Sequence, residues 1–192
     1  MQFSEWFKEA TEVEKAVEPN MMCISTVGLD GFPNSRYVLL KEVSQGGFVF
    51  FTNYESEKAR EIANLNQVAL NFYWPTPNRQ VRVRGSVTKV DVKESDDYFL
   101  QRPIKSQAGA IASRQSTAIP LDKTTLVQDV TTMADDAEAG KIKLQRPEYW
   151  GGYRVMPRYF EFWQGERNRC HDRFVYTPGA VEGTWDIKRL AP

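Results

Sequence analysis

Apolar residues at helical spacing mark the first part of the chain. They recur at intervals of three or four, as one face of a helix requires. The residues are Phe3, Trp6, Phe7, Ala10, Val13 and Val17. Ser4 is a suitable N-cap, and Pro19-Asn20 ends the pattern. We therefore predict an N-terminal helix within residues 1–20.

Short apolar and alternating runs, separated by turns rich in Gly and Pro, predict strands over much of the remaining chain. Valine and arginine alternate from Arg79 to Val87, which is typical of a half-buried antiparallel strand. The other runs are Met21 to Val27, Ser35 to Lys41, Phe48 to Thr52, Val68 to Trp74, Trp150 to Trp163 and Thr184 to Leu190.

Helical patterns interrupt these strands twice. Ser56 is a candidate N-cap for a helix that runs to about Leu65, and residues 93–139 form a polar helical insertion broken at Pro103 and Pro120. Since about six or seven short strands alternate with helices, we predict a mainly β protein with flanking helices (α+β). The expected architecture is a closed or half-closed antiparallel barrel in a single domain over residues 1–192.

Composition excludes several classes of protein. The chain has 25 basic and 25 acidic residues, so a nucleic-acid surface is not expected. It has two cysteines without a CxxC pair and one histidine, which argues against a zinc site or a disulfide scaffold. No apolar run reaches the roughly 18 residues of a membrane span, and the first residues are too acidic for a signal peptide. We expect a cytoplasmic protein with no metal, nucleic-acid or membrane partner.

The histidine lies in a charged stretch, Asn168 to Arg173. If this stretch is an extended strand, Arg169, His171 and Arg173 share one face, with Cys170 and Asp172 on the other. Three cationic or nearly cationic groups on one face favour an anion site. A solvated edge strand that resists aggregation explains the same pattern.

Further basic and hydroxyl residues lie at predicted strand ends and helix starts. They are Arg36 and Lys41, Lys58 after Ser56, Arg102 with Lys105 and Ser106, and Arg114 with Gln115 and Ser116. Each group alone is typical of a solvated face, although a helix N-terminus such as that at Lys58 favours anions. Together they suit two phosphorylated ligands, a cofactor and a substrate. GxSxG, P-loop and GxGxxG motifs are absent from the sequence.

These residues belong to a series of motifs that resembles the pyridoxamine 5′-phosphate oxidase (pyridoxine 5′-phosphate oxidase) family. The series includes RYVLLK at 36–41, FTN at 51–53, NRQV at 78–81, WGGY at 150–153, EFWQG at 161–165, NRCHDR at 168–173 and RLAP at 189–192. The resemblance runs in order from about Met21 to Pro192. It implies an FMN-binding split barrel of antiparallel Greek-key type, which works as a homodimer with FMN in clefts at the subunit interface.

The implied activity is the last step of vitamin B6 synthesis and salvage. Pyridoxamine 5′-phosphate or pyridoxine 5′-phosphate is oxidised to pyridoxal 5′-phosphate, hydride passes from substrate C4′ to flavin N5, and O2 is reduced to H2O2. The resemblance implies FMN contacts from Arg36, Tyr37, Val38, Leu39, Leu40, Lys41, Phe51, Thr52, Lys58, Gln80, Gln115, Ser116, Trp163 and Arg173. The implied substrate contacts are Lys41, Tyr98, Arg102, Ser106, Arg169 and His171, of which Arg169 and His171 also have the implied catalytic role.

The chain departs from the family pattern in places. Glu57 stands where the family usually has Arg, and we expect its carboxylate to weaken FMN binding. The segment that can cover the substrate in the family is missing or lies outside these residues. Arg36 and Lys41 are five positions apart and so face opposite ways on a regular strand, which calls for a bulge, a strand end or two different ligands. Two alternative hypotheses are a non-catalytic flavin- or pyridoxal-phosphate-binding module and a phenazine-type flavin oxidase.

Overall fold

One curved antiparallel sheet dominates the structure, a computed structural model that describes residues 2–15 and 17–192. In chain order the elements are α1 (Gln2–Val13), β1 (Met21–Val27), β2 (Pro33–Leu39), β3 (Glu42–Ser44), β4 (Gly47–Asn53), α2 (Glu57–Asn64), β5 (Gln67–Trp74), β6 (Arg79–Lys89), α3 (Val92–Gln101), α4 (Ile104–Ala112), α5 (Thr124–Glu138), β7 (Trp150–Gln164), β8 (Asp172–Pro178) and β9 (Trp185–Arg189).

Strand β7 is the centre of the sheet. The main strand order is β2-β1-β5-β6-β7-β4-β3, and β8 pairs with both β7 and β9. The first part of β7 (Trp150–Val155) pairs with β4, and its last part (Phe160–Gln164) pairs with β8. Because one long strand changes partner along its length, the sheet curls into a half-barrel. The predicted half-closed antiparallel architecture is confirmed.

The inner face of the sheet carries an aromatic core that α1 closes. Val81, Val83 and Val87 of β6 are buried, as their alternation with exposed arginines predicted. Phe3 of α1 is 1% exposed and lies 4.8 Å from the ring of Phe48. Burying such a side chain contributes about 1.5–3 kcal/mol, so Phe3 anchors the helix to the barrel.

A β-bulge interrupts the pairing of β6 with β7. Arg84 pairs with Tyr159 and Gly85 with Pro157, which leaves Arg158 as the extra residue. A Cβ on Gly85 would overlap the carbonyl oxygen of Met156. Glycine is therefore needed here because the two backbones approach closely.

The helices after β6 pack as a second, smaller cluster. Phe99, Ala108, Ala134, Leu144 and Trp150 form its buried centre. The predicted insertion at 93–139 thus contains three helices, with breaks at Arg102–Pro103 and across residues 113–123. This cluster places α3 and α4 beside the ends of β4 and β7.

Several boundaries differ from the prediction. Helix α1 ends at Val13, and Ser4 lies inside it rather than capping it. Residues 1 and 16 of the predicted helix lie outside the described residues. The short strand β3 was missed, and the described residues form nine strands. The prediction that the chain is a single domain stays a prediction.

Within the described residues, the helices are too short or too polar to cross a membrane.

Candidate functional site

A cavity of about 720 Å³ opens where β2 and β4 meet α3 and α4, and it is called the central cavity below. Predicted cofactor residues at this cavity are Arg36, Tyr37, Val38, Leu39, Lys41, Phe51, Thr52, Lys58 and Gln115. Predicted substrate residues there are Lys41, Tyr98, Arg102 and Ser106. The fold thus brings together residues from four separate parts of the sequence.

Lys58 forms the polar floor of the cavity at the start of α2. Its ammonium lies 3.3 Å from Thr52 Oγ1, 3.2 Å from Ser56 Oγ and 3.2 Å from Gln115 Oε1. The residue is 6% exposed, and burial, reinforced by the charge of Arg36, lowers the pKa of Lys58 to about 8. The predicted cap at Ser56 is present without a side-chain capping bond, because its hydroxyl faces Lys58.

Arg36 is tied to a buried carboxylate. Its Nη2 lies 3.0 Å from Glu61 Oε2, and Glu61 also accepts hydrogen bonds from Thr26 and Asn34. Burial alone would raise the pKa of Glu61, but these hydrogen bonds and the Arg36 charge hold it below its usual value. The Arg36 charge is therefore largely balanced within the chain, whereas the hydrogen-bond partners of Lys58 are neutral.

Three stacked aromatic rings form one wall of the cavity. Phe51 stacks on Tyr98 with centroids 3.9 Å apart and on Trp150 with centroids 5.5 Å apart. Gly152 pairs with Phe51 across β4 and β7, and a Cβ there would lie 2.8 Å from the Phe51 ring. The absence of a side chain at Gly152 therefore lets the wall form.

Arg102 lies on this wall with an unused donor. Its guanidinium carbon is 4.7 Å from the centroid of Trp150, a cation–π arrangement. Burial lowers the pKa of Arg102, partly offset by Tyr98, and its buried Nη1 has no hydrogen-bond partner among the described residues. A buried cationic donor without a partner is costly, so the site is suited to an anionic ligand.

Lys41 lies two residues beyond the end of β2, so its side chain does not follow the alternation of that strand. Strand β2 stops at Leu39, and the Lys41 N–H donates to Val49 O at 2.9 Å. Lys41 therefore lines the same cavity as Arg36, although their separation is odd. Leu40 turns the other way, since it is 4% exposed and belongs to the hydrophobic core. The expected contact of Leu40 with FMN through its side chain is not supported by this burial.

Besides Leu40, six predicted site residues lie outside the central cavity of this chain. Gln80, Trp163 and Arg173 are neighbours across β6, β7 and β8, with Gln80 paired to Trp163 and Trp163 paired to Arg173. Arg169 and His171 precede β8, and Ser116 lies in a turn with φ +69°. The first five form a second group, called the β8 group below, which the fold of one chain does not bring to the cavity.

The stretch from Asn168 to Arg173 is not a continuous strand. Strand β8 begins at Asp172, and Arg169 has φ +62°, so the predicted shared face of Arg169, His171 and Arg173 is wrong. Asn168 accepts the Cys170 N–H through its side chain, which shapes a turn instead. Cys170 is exposed in this turn, so it does not pack against the opposite face of a strand.

His171 is nevertheless held in a defined orientation. Its Nδ1 accepts the backbone N–H of Glu166 at 2.9 Å, and its ring lies 4.9 Å from the Trp163 ring. When the imidazole is neutral, this bond leaves the proton on Nε2. His171 can therefore offer a donor from Nε2 beside an aromatic surface.

Sequence reasoning missed some residues of the site. Gln101, Pro103 and Trp150 line the central cavity. Gln101 follows Tyr98 by three positions on α3, and this helical spacing could have identified it. Trp150 stands in the WGGY motif, but its place in the cavity depends on contacts across the second cluster, which the sequence does not show. Among the described residues no group of His, Cys, Asp and Glu could hold a metal ion.

Comparison with known proteins identifies two family models along the chain. Residues 8–135 match the model described as pyridoxamine 5′-phosphate oxidase. Residues 150–192 match the pyridoxine 5′-phosphate oxidase C-terminal dimerisation region. Curated relatives named pyridoxine/pyridoxamine 5′-phosphate oxidase include one from Burkholderia lata, 47% identical over 100% of this chain and 87% of its own length. Another, from Crocosphaera subtropica, is 48% identical over 100% of this chain and 88% of its own length.

Solved structures share the fold. PhzG from Burkholderia lata, in complex with tetrahydrophenazine-1-carboxylic acid, has a TM-score of 0.89 and 25% identity, covering 100% of this chain and 91% of its own. A pyridoxamine 5′-phosphate oxidase-related, FMN-binding protein from Nostoc punctiforme has a TM-score of 0.78 and 13% identity, covering 100% and 98%. The split-barrel prediction is thereby confirmed. The chain belongs to the pyridoxamine 5′-phosphate oxidase family.

Proposed function

We propose that this protein is an FMN-dependent oxidase that converts pyridoxamine 5′-phosphate or pyridoxine 5′-phosphate to pyridoxal 5′-phosphate, with O2 as acceptor and H2O2 released. The proposal rests mainly on two buried cationic groups that line one cavity and could each bind an anion. They are the Lys58 ammonium and the Arg102 guanidinium, whose Nη1 has no hydrogen-bond partner among the described residues. Two such groups suit two phosphates. The reaction is the last step of pyridoxal 5′-phosphate synthesis.

FMN is the cofactor, and the floor of the cavity fits its phosphate. Lys58 offers an ammonium, Thr52 a hydroxyl and Gln115 an amide, all within 3.3 Å of one another around Lys58 Nζ. When bound, FMN supplies the redox chemistry by accepting a hydride and returning two electrons to O2. The part of the protein is then to bind and orient the cofactor and the substrate.

The aromatic wall fits the substrate phosphate. Arg102 supplies a guanidinium, Lys41 an ammonium, and Tyr98 and Ser106 supply hydroxyls, and all four line the cavity. Charge-assisted hydrogen bonds from such groups bind a phosphate dianion strongly. Because the Arg102 guanidinium packs on the Trp150 ring, it is already oriented before the substrate binds. Unphosphorylated pyridoxine would leave this set without its partner.

A second copy of the chain completes the site in our proposal. Gln80, Trp163 and Arg173 were expected at the cofactor, yet they do not line the central cavity of their own chain. The match of residues 150–192 to a dimerisation region supports a homodimer. We propose that the β8 group of one subunit faces the central cavity of its partner. Arg169 and His171 would then lie against the substrate ring.

His171 and Arg169 have the proposed catalytic role. The Glu166 N–H holds Nδ1 of His171, so that Nε2 can donate a hydrogen bond to the C4′ hydroxyl or amine. Arg169, exposed in its turn, would orient the substrate ring. Substituting either residue with Ala should lower turnover or substrate affinity. Cys170→Ala is the matched control, since this exposed neighbour has no proposed role and should retain most activity.

Phenazine oxidation is the second candidate, because the PhzG structure has a TM-score of 0.89. The phosphate-binding set argues against it, as does 47% identity to relatives named for the vitamin B6 phosphates, compared with 25% to PhzG. Flavin reduction should be followed anaerobically with pyridoxine 5′-phosphate and with a reduced phenazine carboxylate. Bleaching of the flavin by pyridoxine 5′-phosphate supports the proposal. Bleaching by the phenazine alone, or FMN binding with no turnover, would overturn it.

We also propose a cytoplasmic location, which rests on the sequence alone.

A further inference from the structure

A buried carboxylate outside the central cavity has an unusual number of donors. Glu161 of β7 is 2% exposed and lies between β6 and β8. Its Oε2 accepts hydrogen bonds from Arg82 Nη1 and Tyr159 Oη, each at 3.0 Å. Its Oε1 accepts Arg173 Nε at 2.8 Å and lies 2.8 Å from Arg173 Nη2. Both oxygens are therefore fully used, as an ionised buried carboxylate requires.

The same contacts fix Arg173. Its Nε and Nη2 both contact Oε1 of Glu161, and its Nη1 donates a hydrogen bond to Ala191 O at 3.1 Å. The backbone carbonyl of Arg173 accepts the Leu190 N–H at 2.9 Å. The guanidinium is thus held on two sides, and only one N–H of Nη1 and one of Nη2 remain for a ligand. Its side chain keeps 28% of its exposure, so these donors are accessible.

Charge on this part of the sheet gives the carboxylate a second effect. Arg82 and Arg173 both pair with Glu161, and Arg84 stacks over Tyr159 at 3.8 Å. Two guanidinium groups therefore share one buried carboxylate, and a third lies on the neighbouring tyrosine ring. Without the charge of Glu161, Arg82 and Arg173 would repel each other, and Arg173 would lose the partner that sets its plane.

We propose that Glu161 is a positioning residue for the cofactor site, which acts by holding the Arg173 guanidinium in the orientation that binds FMN. This inference rests on the proposed function, in which Arg173 contacts FMN. Glu161 itself is buried behind Arg173 and donates nothing to a ligand. Its contribution is to remove the rotamer freedom of Arg173 before FMN binds.

The test is a titration of the full-length protein, freed of FMN, with FMN, and binding is followed by the quenching of flavin fluorescence. Glu161→Gln keeps the size of the side chain but removes its charge, and it should weaken FMN binding about tenfold or more. Tyr159→Phe is the matched control, because it removes a donor from the same carboxylate at Oε2, away from Arg173. This variant should bind FMN within about twofold of the unsubstituted protein.

A double-mutant cycle separates positioning from a general structural role. In an Arg173→Ala background, Glu161→Gln should have almost no further effect on the FMN dissociation constant. Visible circular dichroism of the bound flavin should change in Glu161→Gln and stay unchanged in Tyr159→Phe. If Glu161→Gln does not fold, Glu161→Asp keeps the charge, shortens the reach and carries the same cycle.

The possible results distinguish failure of the proposed function from failure of the positioning role of Glu161. An unsubstituted protein that does not bind FMN would refute the proposed function. Normal FMN binding by the unsubstituted protein, with equal or tighter binding by Glu161→Gln, would overturn only the positioning role. So would an equal loss of affinity in the Arg173→Ala background, because Glu161 would then act independently of Arg173.

Discussion

We expect Lys58 to make FMN binding sensitive to pH in a range where most lysines remain charged. Burial beside Arg36 lowers the pKa of Lys58 from 10.5 to about 8, even though Glu57 and Glu61 act in the opposite direction. A phosphate dianion at the ammonium would favour the charged form and raise this pKa again. FMN binding should therefore take up a proton, and affinity should be lost as pH rises through the Lys58 pKa of about 8 in the FMN-free protein.

The size of the effect follows from that pKa. If only the protonated Lys58 binds the phosphate and the bound pKa lies well above 9, the dissociation constant rises about tenfold between pH 7 and pH 9. A tenfold change corresponds to about 1.4 kcal/mol of binding free energy. The phosphate itself does not contribute, because its second pKa is about 6 and its charge is constant in this range.

Fluorescence titrations with FMN from pH 7 to pH 9 measure the effect, with two controls. Lys58→Arg keeps its charge throughout, so its FMN affinity should be nearly independent of pH. Riboflavin has the same ring without the phosphate, and its affinity for the unsubstituted protein should also be nearly constant. A flat FMN profile for the unsubstituted protein would refute the reasoning. An equally steep profile for Lys58→Arg would assign the effect to another group.

Three further predictions concern other parts of the molecule. Glu57→Arg should tighten FMN by about 1 kcal/mol, because it replaces an exposed carboxylate beside Lys58 with a cation; unchanged or weaker titration would contradict it. Arg102→Ala should raise KM for pyridoxine 5′-phosphate at least about tenfold, whereas Lys105→Ala, which is exposed and outside the cavity, should not. Gly85→Ala should lower the free energy of unfolding by about 2 kcal/mol in denaturant titrations. Its control, Gly109→Ala, has open space around it and should cost nothing.

Most strands were predictable because a half-buried β-strand alternates apolar and polar residues along the sequence. The valines of β6 alternate with arginines in the sequence, and the structure buries the valines. Strand β3 has only three residues and left no comparable pattern. Helix α1 ends at Val13, earlier than its apolar spacing suggested, and just beyond it the Glu14 carboxylate accepts the backbone N–H of Thr76. Local periodicity cannot report such tertiary contacts.

The candidate site was predictable where family motifs named its residues, and less so where contacts decide orientation. Lys41 lines the cavity because β2 ends at Leu39. The alternation of side chains along a regular strand could not predict this, because Lys41 lies beyond the strand. The prediction that Arg169, His171 and Arg173 share one strand face was wrong, because a turn precedes Asp172. In the sequence Glu161 is only one residue of the EFWQG motif, and its ion pair with Arg173 forms only because β7 and β8 are paired.

Peroxide release by the purified protein tests the central claim most directly. The protein should be yellow, and in air it should form one H2O2 for each pyridoxal 5′-phosphate produced from pyridoxine 5′-phosphate. Unphosphorylated pyridoxine should give far less, because Lys41 and Arg102 would have no phosphate to bind. A protein that stays colourless and inactive with added FMN would contradict the account. So would equal rates with and without the substrate phosphate.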